Sequence, residues 1–162
     1  MQHGLFDTQA FRRTLGMFAT GITVLTTRAA DGSPVGLTVN SFNAVSLDPP
    51  LIVWSLSRHL AQREAFEHCT HYAVNVLAGD QEQLSRLFAG KLPSPFAGLE
   101  WHEGIDGVPL LPGCCAHFEV RNGLRHEGGD HLVFLSEVVR FERFEHEPLL
   151  YFAGAYRHLA PR

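Results

Sequence analysis

The stretch GLTVNSFNAVSLDPPL, Gly36 to Leu51, decides how the rest of the chain is read. Small polar residues (Thr38, Asn40, Ser41, Asn43, Ser46) are interleaved with apolar ones until the run stops at Pro49-Pro50. Period-two alternation is the mark of a strand. Proline ends it by removing a ladder donor and fixing φ. Immediately upstream, GITVLTT (21–27) is alternating and β-branched, and AADGSP (29–34) carries an Asp-Gly turn, so the two segments form a hairpin with the quoted stretch as its second strand. On pattern alone, its hydroxyls and amides make a solvated strand face with a proline stop.

Further out, DTQAFRRTLGMF (7–18) predicts a helix with Asp7 as N-cap and Phe11, Leu15 and Phe18 as one apolar stripe facing a core. PLIVWSLS (50–57) reads as a nearly continuous apolar strand, LAQREAFEHC (60–69) as an amphipathic helix and HYAVNVL (71–77) as a strand. DQEQLSRLFAG (80–90) predicts a helix with an Asp80 cap and a Gly90 stop. The segment from Cys114 to Phe144 gives two strands around a Gly-rich turn, and LLYFAGAYRHL (149–159) a last short strand. Strands outnumber helices and are joined mostly by short turns. The expected fold is therefore mainly β with rim helices, a largely antiparallel small barrel or half-barrel of the α+β type.

The 162 residues, 45% of them hydrophobic, suit a single domain spanning 1–162. A chain of that length buries about 70% of its unfolded surface. A formal charge of −4 with no Lys/Arg run excludes a nucleic-acid groove and an anionic membrane surface. No apolar run approaches the ~20 residues of a membrane span, and MQHGLFDTQAF lacks a basic region followed by an apolar core, so a cytoplasmic, soluble protein is expected. Three cysteines, Cys69, Cys114 and Cys115, are an odd number that fits reduced thiols better than a disulfide framework.

Several chemical signatures are absent: no GxG, no glycine upstream of Gly90-Lys91 to complete a phosphate-binding loop, and no GxSxG. RHEGGDH (125–131) is not a zinc motif, because His126 and His131 are five apart and Gly128-Gly129 would break the helix that brings two such ligands together.

The segments TGITVLTT and DGSPVGLTVNSFNAVSLDPPLIVWSL, followed in order by YAVNVLAGDQEQLSRLFAG, GDHLVFLSEV and PLLYFAGAY, resemble the flavin reductase-like family from Phe11 to Leu159. The resemblance implies an FMN-binding split barrel that works as an NAD(P)H:flavin oxidoreductase on FMN or FAD. It also implies a homodimer and a separate flavin-dependent monooxygenase that receives reduced flavin. An isoalloxazine ring is an apolar slab with a polar edge, so its site needs donors at one rim and close-lying backbone. Thr38, Asn40 and Ser41 have short donors, and Gly36 and Ala44 leave room for amides.

By resemblance, Thr38, Asn40 and Ser41 border the flavin, with Ser46, Leu47 and Asp48 beside it. Ser55 and Ser57 approach the ribityl and phosphate. The usual Asn and Ser/Thr cluster after that strand is replaced by SLSRHLAQRE, which leaves Arg58 as a substitute partner for phosphate. Phe88, Ala89, Gly90 and Lys91 resemble the segment that caps the cofactor. His131 in GGDH is associated with nicotinamide binding and is the candidate catalytic residue. Tyr151 and Tyr156 resemble the family's paired aromatics, whose intervening cation is here Ala153 or Ala155. Two other readings compete. One is a non-catalytic flavin- or haem-binding split-barrel module, with His131 or His59 as an axial ligand; the other is a pyridoxamine-phosphate-oxidase-like flavin oxidase.

Overall fold

The computed structural model describes residues 6–90 and 95–160. Its elements are α1 (Thr8–Leu15), β1 (Thr20–Gly21), β2 (Thr23–Arg28), β3 (Pro34–Val39), β4 (Asn43–Leu47), β5 (Pro50–Ser57), α2 (Arg63–His68), β6 (His71–Val76) and α3 (Glu82–Ala89). These are followed by β7 (His102–Glu103), a 3₁₀ turn (Ile105–Gly107), β8 (Pro109–Leu110), β9 (Ala116–Gly128), β10 (His131–Arg143), β11 (Leu150–Phe152) and β12 (Ala155–Arg157).

A seven-stranded sheet in the order β3-β2-β6-β9-β10-β5-β4 carries the fold. Its paired strands are all antiparallel. The predicted β2–β3 hairpin is present: Asp31 Oδ1 accepts from the Ser33 amide at 2.9 Å and from its hydroxyl at 2.6 Å, with Gly32 at φ +83°. The quoted stretch, however, is two strands. It breaks at Asn40–Phe42, and β3 and β4 lie at opposite edges of the sheet.

That break fixes the shape. Six strand spacings of about 4.8 Å would put the edges of a flat sheet about 29 Å apart. Val39 and Asn43 are four residues apart, a reach of at most about 14 Å. The sheet must therefore curl until β3 and β4 approach, yet no ladder joins them, and the barrel stays split.

Both faces of the central strands β2 and β6 are buried. Inside the curl, Leu25, Ile52, Leu56, Val74 and Phe66 of α2 surround Trp54, which stacks on Phe134 at 4.5 Å and donates to Tyr72 Oη at 3.0 Å. Burial pushes the Tyr72 phenol up, so it stays a neutral partner. On the other face α3 and Phe96 cover Ile22, Val24, Leu77 and Leu149.

Four expectations are corrected. Asp7 does cap α1, accepting from Gln9 N at 2.9 Å and Ala10 N at 3.0 Å, but Phe11, Leu15 and Phe18 are exposed and face no core among the described residues. The N-cap of α3 is Gln81, not Asp80. Its side chain accepts from Ala78 N and donates to Pro112 O, pinning the helix entrance to a neighbouring loop. α2 occupies only the middle of its predicted span. The C-terminal segment is a hairpin of two strands, β11 and β12, and with β1 it forms a three-stranded sheet. Its turn places Ala153 at φ +50° and Gly154 at φ +77°.

Candidate functional site

The crossover Asn40–Phe42 is stitched to β5 by one side chain. Ser41 Oγ accepts from Ser55 N at 3.0 Å and donates to Ser55 O at 3.2 Å. Asn40 and Ser41 are exposed. Along β5, Ile52, Trp54 and Leu56 point into the core, so Leu51, Val53, Ser55 and Ser57 point outward. Cross-strand register places His131 opposite Ser57 and Val133 opposite Ser55, with Asn43 opposite Val53 and Ser46 opposite Leu51. Ser41, Ser55, Ser57 and His131 thus share one strip, roughly 7 Å long at about 3.4 Å per residue. Its floor is short and partly apolar (Val53, Val133), and its margins carry hydroxyls, the Asn40 and Asn43 amides and an imidazole.

The GGDH turn presents His131 through backbone geometry. Gly129 sits at φ +71°, and a Cβ on Gly128 would lie 2.9 Å from Val133 Cγ2. His131 Nδ1–H donates to Asp130 Oδ1 at 2.7 Å, which leaves Nε2 free. That hydrogen bond holds the Asp130 carboxyl below the ordinary carboxylate range. Arg58, expected near a phosphate, is spent on this turn. Its amide donates to Asp130 O at 3.0 Å, its Nε to Gly129 O at 3.1 Å, and its guanidinium pairs with Glu127.

Three of the sequence candidates lie against α3 instead of the strip. Thr38 Oγ1 donates to the Ser85 carbonyl at 2.7 Å, so its hydroxyl faces the helix. Phe88 is buried in the core against Phe96, and its ring fills the hollow over Gly36, where a Cβ would come within 2.7 Å of it. Gly36 therefore makes room for the Phe88 ring, a different task from admitting flavin to the backbone. Tyr156 Oη hydrogen-bonds Ser85 Oγ at 2.9 Å, and Tyr156 packs edge-on against Tyr151 at 5.5 Å.

The cation missing at Ala153 and Ala155 comes from another element. The Arg86 guanidinium lies 4.7 Å over the Tyr156 ring, held by Glu82 at 2.7 Å, on the wall of a hollow of about 390 Å³. Ser85 and Arg86 were not singled out in the sequence; the only signal was their place on a helix with an i,i+4 Glu82/Arg86 pair. Leu47 and Asp48 are exposed at the far end of the β4–β5 hairpin, and Ala44 is exposed on β4. Lys91 lies outside the described residues.

A cleft of about 1300 Å³ opens between the β3 edge at Pro34–Gly36, the β5–α2 connection at His59–Gln62, and Ala89-Gly90. It is large enough for a dinucleotide-sized ligand. Gly36, His59, Ala89 and Gly90 line it; the strip residues do not. At its other end His71 Nδ1 meets Asp106 Oδ2 at 2.5 Å.

A curled, split antiparallel sheet with a hydroxyl-lined strip beside the split defines a binding class without a nucleotide-loop motif. The chain belongs to the flavin reductase-like family: the family model described as "Flavin reductase like domain" matches residues 15–160. It is similar to the FMN reductase (NADH) SmoA of Agrobacterium fabrum, 41% identical over 93% of this chain and 85% of that protein. It is also similar to HsaB of Rhodococcus jostii, the reductase subunit of a flavin-dependent monooxygenase, at 38% identity over 96% of this chain and 80% of that one. Among solved structures, the NADH:FAD oxidoreductase SgcE6 of Streptomyces globisporus, in complex with NAD and FAD fragments, aligns with a TM-score of 0.90 and 36% identity. That alignment covers 96% of this chain and 94% of that chain.

Proposed function

We propose that this protein is a flavin reductase that oxidises NADH or NADPH, reduces FMN or FAD, and passes the reduced flavin to a separate flavin-dependent monooxygenase. The observation that carries the reading is the single strip formed by Ser41, Ser55, Ser57 and His131, beside the exposed Asn40, in a chain whose family match runs from residue 15 to 160. NADH is the favoured donor, because two of the relatives named above, SmoA and SgcE6, are NADH enzymes. Haem binding and pyridoxamine-phosphate oxidation are not favoured, since those relatives are named flavin reductases.

The residues fit the group. Val53 and Val133 form an apolar floor for a flat ring, and the exposed Asn40 amide and the Ser55 and Ser57 hydroxyls stand where a polar ring edge needs partners. When bound, the flavin supplies the hydride acceptor, so no protein nucleophile is required. The protein's part is orientation. Ser41 pins the crossover to β5 and so holds Asn40 at the ring edge, Ser55 and Ser57 line the approach, and His131 Nε2 bonds the nicotinamide carboxamide. Ser46, opposite Leu51, borders the site from the hairpin, with Leu47 and Asp48 further along it, and Thr38, Phe88 and Tyr156 support it through α3.

The working unit is one domain in a homodimer. The exposed Phe11 and Leu15 of α1, with Phe18 just after it, offer a two-fold partner an apolar surface, and three free thiols suit the cytoplasm. Among the described residues no helix is long and apolar enough to cross a membrane.

The test is anaerobic titration with NADH and with NADPH, in the presence of FMN and of FAD, followed by loss of flavin absorbance. Flavin-dependent oxidation of the nicotinamide is expected, and its absence in all four combinations ends the reading. A flavin-loaded monomer in sedimentation at micromolar concentration would end the dimer.

A further inference from the structure

We propose that Ser85 is a positioning residue that couples Tyr156 of β12 to the crossover Asn40–Phe42, so that the C-terminal hairpin sets the flavin rim without touching flavin. The role assigned to the rim rests on the flavin reading above; the coupling itself does not.

Ser85 is fully buried and makes contact in two directions. Its carbonyl accepts from Thr38 Oγ1 at 2.7 Å, and its hydroxyl bonds Tyr156 Oη at 2.9 Å. Thr38 is the penultimate residue of β3, so this bond fixes the strand just where the crossover leaves it. Phe88 lies one helical turn further on, seated over Gly36. α3 thus grips β3 at two alternate residues of one face, Gly36 and Thr38.

On the other side, Tyr156 is held by its cross-strand partner Tyr151 and by Arg86 above its ring. A shift of β12 must either break the Ser85–Tyr156 bond or carry α3 with it. α3 in turn carries the end of β3. A longer side chain at 85 would push Tyr156 away from α3, and alanine would leave a phenol without its partner.

The experiment is a double-mutant cycle of Ser85→Ala and Tyr156→Phe, read by flavin dissociation constant and by hydrogen exchange of the crossover amides, with melting temperature as a fold control. Each single variant is expected to weaken flavin binding by about three- to tenfold, the loss of one hydrogen bond. The double variant should be no worse than the worse single, and exchange at residues 39–43 should quicken in all three. Tyr156→Phe keeps the ring on Arg86 and Tyr151, so it remains informative if Ser85→Ala proves unstable. Additive losses, or crossover exchange unchanged in Tyr156→Phe, overturn the coupling. If the wild type binds no flavin the functional reading falls, while the exchange arm still decides whether Ser85 couples the two segments.

Discussion

His131→Ala separates a substrate-binding imidazole from a histidine that happens to sit beside a turn. The size of the effect follows from the geometry. Nδ1 is committed to Asp130 at 2.7 Å, so only Nε2 can reach a nicotinamide, and at most one hydrogen bond is lost. A neutral bond of about 0.5 to 1.5 kcal/mol corresponds to roughly two- to thirteenfold in kcat/KM for NADH, and a charged one of about 1.5 to 3 kcal/mol to roughly thirteen- to 160-fold. Asp130→Asn, which keeps an acceptor but removes the charge, should fall between wild type and His131→Ala.

The fold should not notice either change. Arg58 holds the turn through the carbonyls of Gly129 and Asp130, and the His131 ring is 42% exposed, so little packing is lost. Steady-state kinetics with varied NADH, flavin titration by fluorescence and thermal unfolding are measured together. The expected pattern is a loss for NADH with flavin affinity and melting temperature unchanged. Equal loss for flavin and nicotinamide would assign His131 to the flavin rim. No loss for either would make it a surface residue and refute the strip as a nicotinamide site.

Two further outcomes test the scaffold. Gly36→Ala forces a Cβ to 2.7 Å from the Phe88 ring and 3.2 Å from Leu25 O, an overpacking worth about 1 to 3 kcal/mol. For a chain of this size that lowers the melting temperature by roughly 2 to 12 °C, with Phe88→Leu restoring part of it, and an unchanged melting temperature would refute the close approach of α3. His117 is buried with Nε2 on Leu111 O at 2.7 Å, and burial holds it below its ordinary value of 6.5. The unfolded chain then takes up this proton at higher pH than the fold does. The stability contribution is complete above pH 6.5 and is lost as pH falls from there through the lowered folded value. Urea unfolding at pH 7.5 and 5.5 should show a larger acid loss in wild type than in His117→Gln; equal losses would remove His117 from the account.

How far the site could be read in advance depended on sequence distance. Asp7, the Asp-Gly hairpin, the Gly90 stop and the Gly128-Gly129 turn are local devices, each set by a residue's own backbone or hydrogen-bonding chemistry, and each is where the pattern placed it. The strip is different in kind. That Ser55 and Ser57 face outward follows from alternation, but their meeting with His131 depends on the pairing of β5 with β10, which no local pattern specifies.

Thr38 shows the same limit more sharply. Alternation says that Thr38 shares a face with Gly36, but not that α3 covers that face, so a hydroxyl read as a flavin donor turns out to be spent on the Ser85 carbonyl. The stripe of α1 is the complementary case. Its spacing marks Phe11, Leu15 and Phe18 as one apolar face with a core as cover, but the helix ends at Leu15 and Phe18 lies in the bend beyond it. Among the described residues no element covers Phe11, Leu15 and Phe18, and β1, the nearest strand in sequence, is only two residues long and pairs with β11. An apolar helical face left open at the rim of a split barrel costs solvation that a second protomer would recover. The same residues that misled the prediction of a buried helix are therefore the physical reason to expect the homodimer.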